Sequence, residues 1–200
     1  YLSHVCKSLT NDEALLGVSI TGIMDSPDIL LDKEILREGA KYAVEINRLW
    51  AKKININPAA RVTCIKPEGT SSIVLESASG AHPHHARKYF RRIQCNKLDN
   101  VYQYMKKHNP HLCEESVWSA NNKDDIITFP IEVSSQSIIK DDLPAIKHLN
   151  YIKLIQENWV NVGSHIDTNK KKITHNVSCT ILVKDDEWKD VIKYIYDNRT

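Results

Sequence analysis

Short apolar runs rich in β-branched residues alternate with longer segments of helical periodicity, and this alternation restricts the fold more than any other feature of the chain. Residues 15–23 (LLGVSITGI) read as a buried strand. Asp32 is a plausible N-cap, and Leu36, Ala40, Ala43, Ile46 and Trp50 then recur at helical spacing, which predicts an amphipathic helix to about residue 53. A second strand, ARVTCI (60–65), follows, then a short helix over 70–79 stopped by Gly80, and a strand in YFRRIQ (89–94). A helix is expected over 98–108. After it comes DIITFPIEV (125–133), in which Pro130 marks an edge or a bulge because it has no N–H to donate. The longest helix is expected over 143–162, ended by Gly163. HNVSCTILV (175–183) is the last strand, and 185–197 the last helix, with Asp185, Asp186 and Glu187 at its dipole-positive start. Such alternation predicts an α/β fold with a mainly parallel sheet or barrel, built as a single domain over residues 1–200.

Composition narrows the class. Hydrophobic residues make up 42% of the chain and charged residues 26%, enough apolar material for a globular core and too much for disorder. No apolar run approaches the roughly 20 residues of a membrane span, and the start of the chain lacks the pattern of a signal peptide, so an intracellular, cytoplasmic protein is expected. The chain begins at Tyr1 and ends at Thr200 just after a helical pattern, and reads as a piece of a longer polypeptide. A net charge of +2 implies no nucleic-acid partner by itself. The five cysteines (Cys6, Cys64, Cys95, Cys113 and Cys179) are widely spaced with no CxxC, which argues for reduced thiols rather than a disulfide framework or a four-cysteine zinc site.

Three stretches carry candidate chemistry. In KPEGTSS (66–72) a strand runs into a turn and a helix start, where backbone N–H groups and hydroxyls either bind phosphate or simply cap their own helix; the Gly-Lys-Ser/Thr ending of a Walker A loop is absent. His82, His84 and His85 either hold a metal or line a polar loop, with Pro83 restricting the chain between them. In ARKYFRR (86–92), basic residues interleaved with Tyr89 and Phe90 either contact RNA or form a solvated edge. Alternation would send Lys88, Phe90 and Arg92 to one face of a strand and Tyr89, Arg91 and Ile93 to the other. The acidic pairs at 124–125, 141–142 and 185–186 read as capping or turn residues, since adjacent side chains diverge.

Taken together, KPEGTSS, SGAHPHHARKYFRRIQ, SVWS, ITFPIEV, the QENW helix and HNVSCTILVKDDEWKDVIKYIYDNR resemble, in order, the C-terminal part of the catalytic chain of ribonucleotide reductases, above all the adenosylcobalamin-dependent class II branch. LLGVSITGIMDSP is similar to the family's Gly-Val-Ser-x-Thr-Gly strand. The resemblance implies the C-terminal portion of a ten-stranded α/β barrel, with Glu68, Gly69, Thr70, Ser71 and Ser72 binding the phosphates of a ribonucleoside di- or triphosphate. It makes His82, His84 and His85 pocket or structural residues. It further implies adenosylcobalamin as cofactor, a cysteine thiyl radical, conversion of ribonucleotides to 2′-deoxyribonucleotides, and a thioredoxin-type reductant. No catalytic cysteine of that family is matched here: the Asn-x-Cys-x-Glu finger loop and the C-terminal cysteine tail are not in these residues. The expectation is therefore a part that needs the remainder of the reductase chain and does not turn over alone. The alternatives are a non-catalytic nucleotide- or RNA-binding module, and the iron-dependent class I large chain, which shares the barrel.

Overall fold

The computed structural model describes residues 3–69, 71–164 and 173–199. Its elements are α1 (His4–Glu13), α2 (Pro27–Leu30), α3 (Lys33–Ile54), α4 (Ser71–Val74), β1 (Lys88–Asn96), α5 (Asn100–His108), β2 (Cys113–Glu115), β3 (Asp124–Glu132), α6 (Ala145–Ile155) and α7 (Trp188–Asp197). The chain divides into two compact units, one formed by Tyr1–His84 with Gln136–Thr200 and the other by His85–Ser135.

The first unit is organised by α3. Its start is fixed where the sequence places it: the Asp32 carboxylate accepts from the backbone N–H groups of Glu34 and Ile35, both at 2.9 Å. Asn55 ends it in the left-handed conformation, at φ 58°. Leu36 and Ala40 face inward, joining Ile23, Ile65, Ala81, Ile155, Trp159 and Val160 in the core. Each fully buried Leu or Ile contributes about 1.5–3 kcal/mol to such a core. The helical span of 143–162 is realised as α6 followed by a π-helical turn, Gln156–Val160, and α3 is the longer helix. At the π turn, Thr63 Oγ donates to the carbonyl of Trp159 at 2.7 Å, and Trp159 Nε1 donates to Cys64 O at 3.1 Å. The Trp159 carbonyl, which also accepts from the Gly163 N–H at 3.1 Å, thus takes a second donor at the place where the helix widens. A β-carbon at Gly163 would collide with the Thr63 side chain, so this position requires glycine for close approach.

The mainly parallel sheet expected from the pattern is not what is found. The expected strands at 15–23, 60–65 and 175–183 meet only at isolated parallel bridges, Val18 with Thr63 and Ile65 with Val177. Residues 61–66 run between the other two segments, but the ladder hydrogen bonds extend over only a few residues on each side.

The second unit holds the regular sheet among the described residues, and it is antiparallel in the order β1-β3-β2. β1 pairs with β3 from Lys88 opposite Glu132 to Asn96 opposite Asp124, whereas β2 covers only Asp125 to Ile127 of β3. β3 is therefore the central strand, yet at Pro130 it has a partner strand on one side only. This reconciles the proline with a strand interior. Along β1 burial alternates strictly, with Lys88, Phe90, Arg92 and Gln94 exposed. Helix α5 is capped by Asp99, which accepts from the N–H of Val101 at 2.8 Å, and it sends Tyr102 and Lys106 to the buried carboxylate of Asp125.

Candidate functional site

The site is built on the three bridged segments of the first unit. Val18, Ile20, Ile65, Val177 and Cys179 belong to the core side, so alternation places Ser19, Cys64, Lys66, Asn176 and Ser178 on the opposite, more polar side. Two contacts agree with this: Lys66 Nζ donates to Asn176 Oδ1 at 2.7 Å, and a β-carbon at Gly17 would lie 3.2 Å from Cys64 Sγ. The segments run parallel, and the chain leaves the carboxyl end of the central one through Pro67 into the turn at 68–72. In α/β architectures, loops at that end of parallel strands are where ligands collect.

The turn is tied down from within. Glu68 N–H donates to Ser79 Oγ at 2.7 Å. Ser71 Oγ donates to Glu68 Oε2 at 2.8 Å. Ser72 is fully buried, and both its hydroxyl and its N–H donate to the Glu68 carbonyl. Gly69 and Ser71 are exposed, and a β-carbon at Gly69 would meet nothing within 4 Å. Thr70 lies outside the described residues. The helix that follows is a single turn, α4, rather than a run to Ser79. Gly80 does not stop a helix but permits a crossing: at φ 55° its β-carbon would sit 2.6 Å from Lys66 O, so the return strand passes directly over the end of the central segment.

Asp25, which no sequence pattern marked, anchors that return strand. Its carboxylate accepts from His84 Nε2 at 2.6 Å, Ser137 Oγ at 3.0 Å and Ala78 N–H at 2.7 Å. Burial alone would raise its carboxyl; the hydrogen bonds from His84 and Ala78, the attraction of His84 and the Ser137 hydroxyl outweigh burial and hold it below the usual range. His82 is equally committed: Nδ1 meets Ser79 O at 2.9 Å, and Nε2 accepts from Thr180 N–H at 3.0 Å, which fixes the neutral Nδ1–H tautomer. The His85 ring stands edge-on to Tyr89, with centroids 5.7 Å apart. Among the described residues no group of three His, Cys, Asp or Glu side chains is placed to hold a metal.

Two thiols of this unit, Cys64 and Cys179, sit where burial disfavours the thiolate. Burial pushes Cys179 up to about 12, and its sulfur rests 3.4 Å from His148 Nε2 and 3.5 Å from Ala81 O. Burial also raises Cys64, with Lys66 lowering it and Glu68 raising it further. On β1, Lys88 pairs with Glu132 at 3.0 Å and Arg92 pairs with Glu114, so two of the basic side chains read as either an RNA contact or a solvated edge are paired within their own sheet.

No protein-family model and no curated protein matches the chain. Among solved structures it is similar to a crystal structure of a B12-dependent (class II) ribonucleotide reductase, at 17% identity and a TM-score of 0.71. The match covers 96% of this chain and 29% of that one, so the chain has the fold of less than a third of that reductase.

Proposed function

We propose that this chain supplies the substrate phosphate-binding part of a B12-dependent ribonucleotide reductase, working with further elements that complete the barrel. The observation that carries the reading is positional. The KPEGTSS turn leaves the carboxyl end of the central parallel segment, inside a fold similar over 96% of its length to part of such an enzyme. At that turn, backbone donors, the Thr70 and Ser71 hydroxyls and the open space beside Gly69 would receive the di- or triphosphate of a ribonucleotide. Ser72 works from inside, holding the turn's shape through the Glu68 carbonyl.

Adenosylcobalamin would supply the radical that starts ribonucleotide reduction. None of the five cysteines of this chain stands in the family's Asn-x-Cys-x-Glu motif, so none is given a place beside it. No step is assigned to them. The chain's own contribution is binding and orientation, and the radical cysteine and the reducing pair, with its thioredoxin-type reductant, belong to elements outside these residues. The class II likeness favours this branch over the iron-dependent one.

The test is equilibrium binding of a ribonucleoside diphosphate and triphosphate to the full chain and to its Thr70→Ala, Ser71→Ala form. Affinity should fall by about 1 kcal/mol or more for each charge-assisted bond removed. An unchanged affinity would contradict the assignment of the turn.

A further inference from the structure

We propose that Lys66 is the cation that neutralises the substrate's phosphate at the turn, held ready by Asn176 until the ligand arrives. The inference rests on the reading of residues 68–72 as the phosphate-binding turn and adds to it the residue that supplies charge. The turn needs one. It carries its own carboxylate, Glu68, engaged by the Ser71 hydroxyl at 2.8 Å, so an incoming phosphate meets negative charge as well as donors.

Lys66 is placed to offset it. It is the last residue before the turn's proline, and its neighbour Ile65 is fully buried in the core, which leaves the exposed Lys66 side chain on the polar side of the segment. Its backbone N–H is fixed to Ser19 Oγ at 3.1 Å, so the stem starts from a defined point. Its ammonium donates to Asn176 Oδ1 at 2.7 Å, a neutral acceptor that orients the charge without cancelling it. Arg61, at the opposite end of the same segment, is already paired with Glu13 at 3.0 Å. Lys66 stands two residues before Glu68, so both charges start from the same short stretch of backbone. A lysine held by an amide can exchange that bond for a phosphate oxygen at little cost, because the new partner is anionic and the old one is not.

The experiment compares a nucleoside with its mono-, di- and triphosphates, titrated into the full chain at low and moderate salt, for wild type, Lys66→Gln, Lys66→Arg and Asn176→Asp. Thermal melts check that each variant is folded. Wild type should prefer phosphorylated ligands, and Lys66→Gln should lose about tenfold or more of that preference while binding the nucleoside as before. Lys66→Arg should retain most of it. Asn176→Asp, which gives Lys66 a permanent counter-charge, should weaken phosphate binding although Lys66 itself is intact, and so decides the matter even where Lys66→Gln does not fold. A wild type that prefers phosphates while Lys66→Gln and Asn176→Asp bind just as well overturns the role of Lys66 and leaves the turn standing. A wild type with no preference for phosphates overturns the turn and Lys66 together.

Discussion

Replacing Asp125 by Asn tests whether a buried ion cluster holds the second unit together. The carboxylate is fully buried at the start of β3, with Lys106 at 2.8 Å, Lys97 at 3.2 Å and the Tyr102 hydroxyl on the same oxygen as Lys106. Burial opposes its ionisation, but the hydrogen bonds from Lys106, Tyr102 and Lys97 win, and the group titrates at about 2 instead of 3.8. At 1.36 kcal/mol per pH unit, that difference is roughly 2.4 kcal/mol; Lys106 is half exposed and partly screened by water, so about 2 kcal/mol is the expected loss. Small domains have only about 0.05–0.15 kcal/mol of stability per residue, so this is a large share of what a unit of this size has. The assay is amide hydrogen exchange at Ile93, Ile126 and Ile127, on the paired strands β1 and β3. At neutral pH, protection should drop by roughly thirtyfold in Asp125→Asn, the equivalent of about 2 kcal/mol. The sign with pH is fixed by the depressed carboxyl: the stabilisation is present above 3.8 and is lost as pH falls from 3.8 through about 2, in wild type and not in the variant. Asp124→Asn, at a less buried carboxylate bonded to Gln94 and Ser119, is the control and should change little. Equal protection in Asp125→Asn and wild type would refute the reasoning.

Two further outcomes follow from the first unit. Gly69→Ala should leave the melting temperature almost unmoved, because the added carbon meets nothing within 4 Å, but should weaken ribonucleotide binding if phosphate approaches the backbone there; an unchanged affinity would remove Gly69 from the site. His148, buried and donating to Ala81 O at 2.9 Å, titrates below its ordinary 6.5 because burial disfavours the charged ring. The unfolded chain then binds a proton that the folded chain does not, so stability should decline as pH drops below about 6.5, and His148→Gln should lack that component in melts run from pH 8 to pH 5.

Local signals made α3, α5 and α7 legible, while α1 and α2 were not read. The Asp32 cap and the 3.6-residue apolar spacing of α3 are properties of neighbouring residues, and the structure has them where the sequence places them, whereas the Asp99 cap of α5 was not read. The sheet was not legible, since strand-like composition says which segments are extended and not which partners they find. Residues 15–23, 60–65 and 175–183 are extended but meet only at single bridges, while the full ladder forms between β1 and β3, whose pairing depends on the return of the chain after α5 and β2. Pro130 shows the same limit from another side: the missing N–H was readable, but that β2 stops short of it was not.

The site divides in the same way. The turn could be read because Pro, Gly and hydroxyl residues follow a strand within a few positions. The residues that hold the turn in place come from far along the chain and carry no local mark: Asp25 reaches His84, Ala78 and Ser137, and Ser79 accepts from Glu68. Their arrangement also changes what the turn can offer. Ser72, an apparent ligand in the sequence, spends its hydroxyl on the Glu68 carbonyl, and Ser71 shares its own with the Glu68 carboxylate. The phosphate proposed for this turn would therefore depend less on hydroxyls than the sequence implies, and more on backbone donors and on a cation from the adjoining segment. If that balance is right, removing charge at Lys66 costs more affinity than removing the hydroxyl of Ser71, because the hydroxyl already has a partner in the free chain and the ammonium has only an amide.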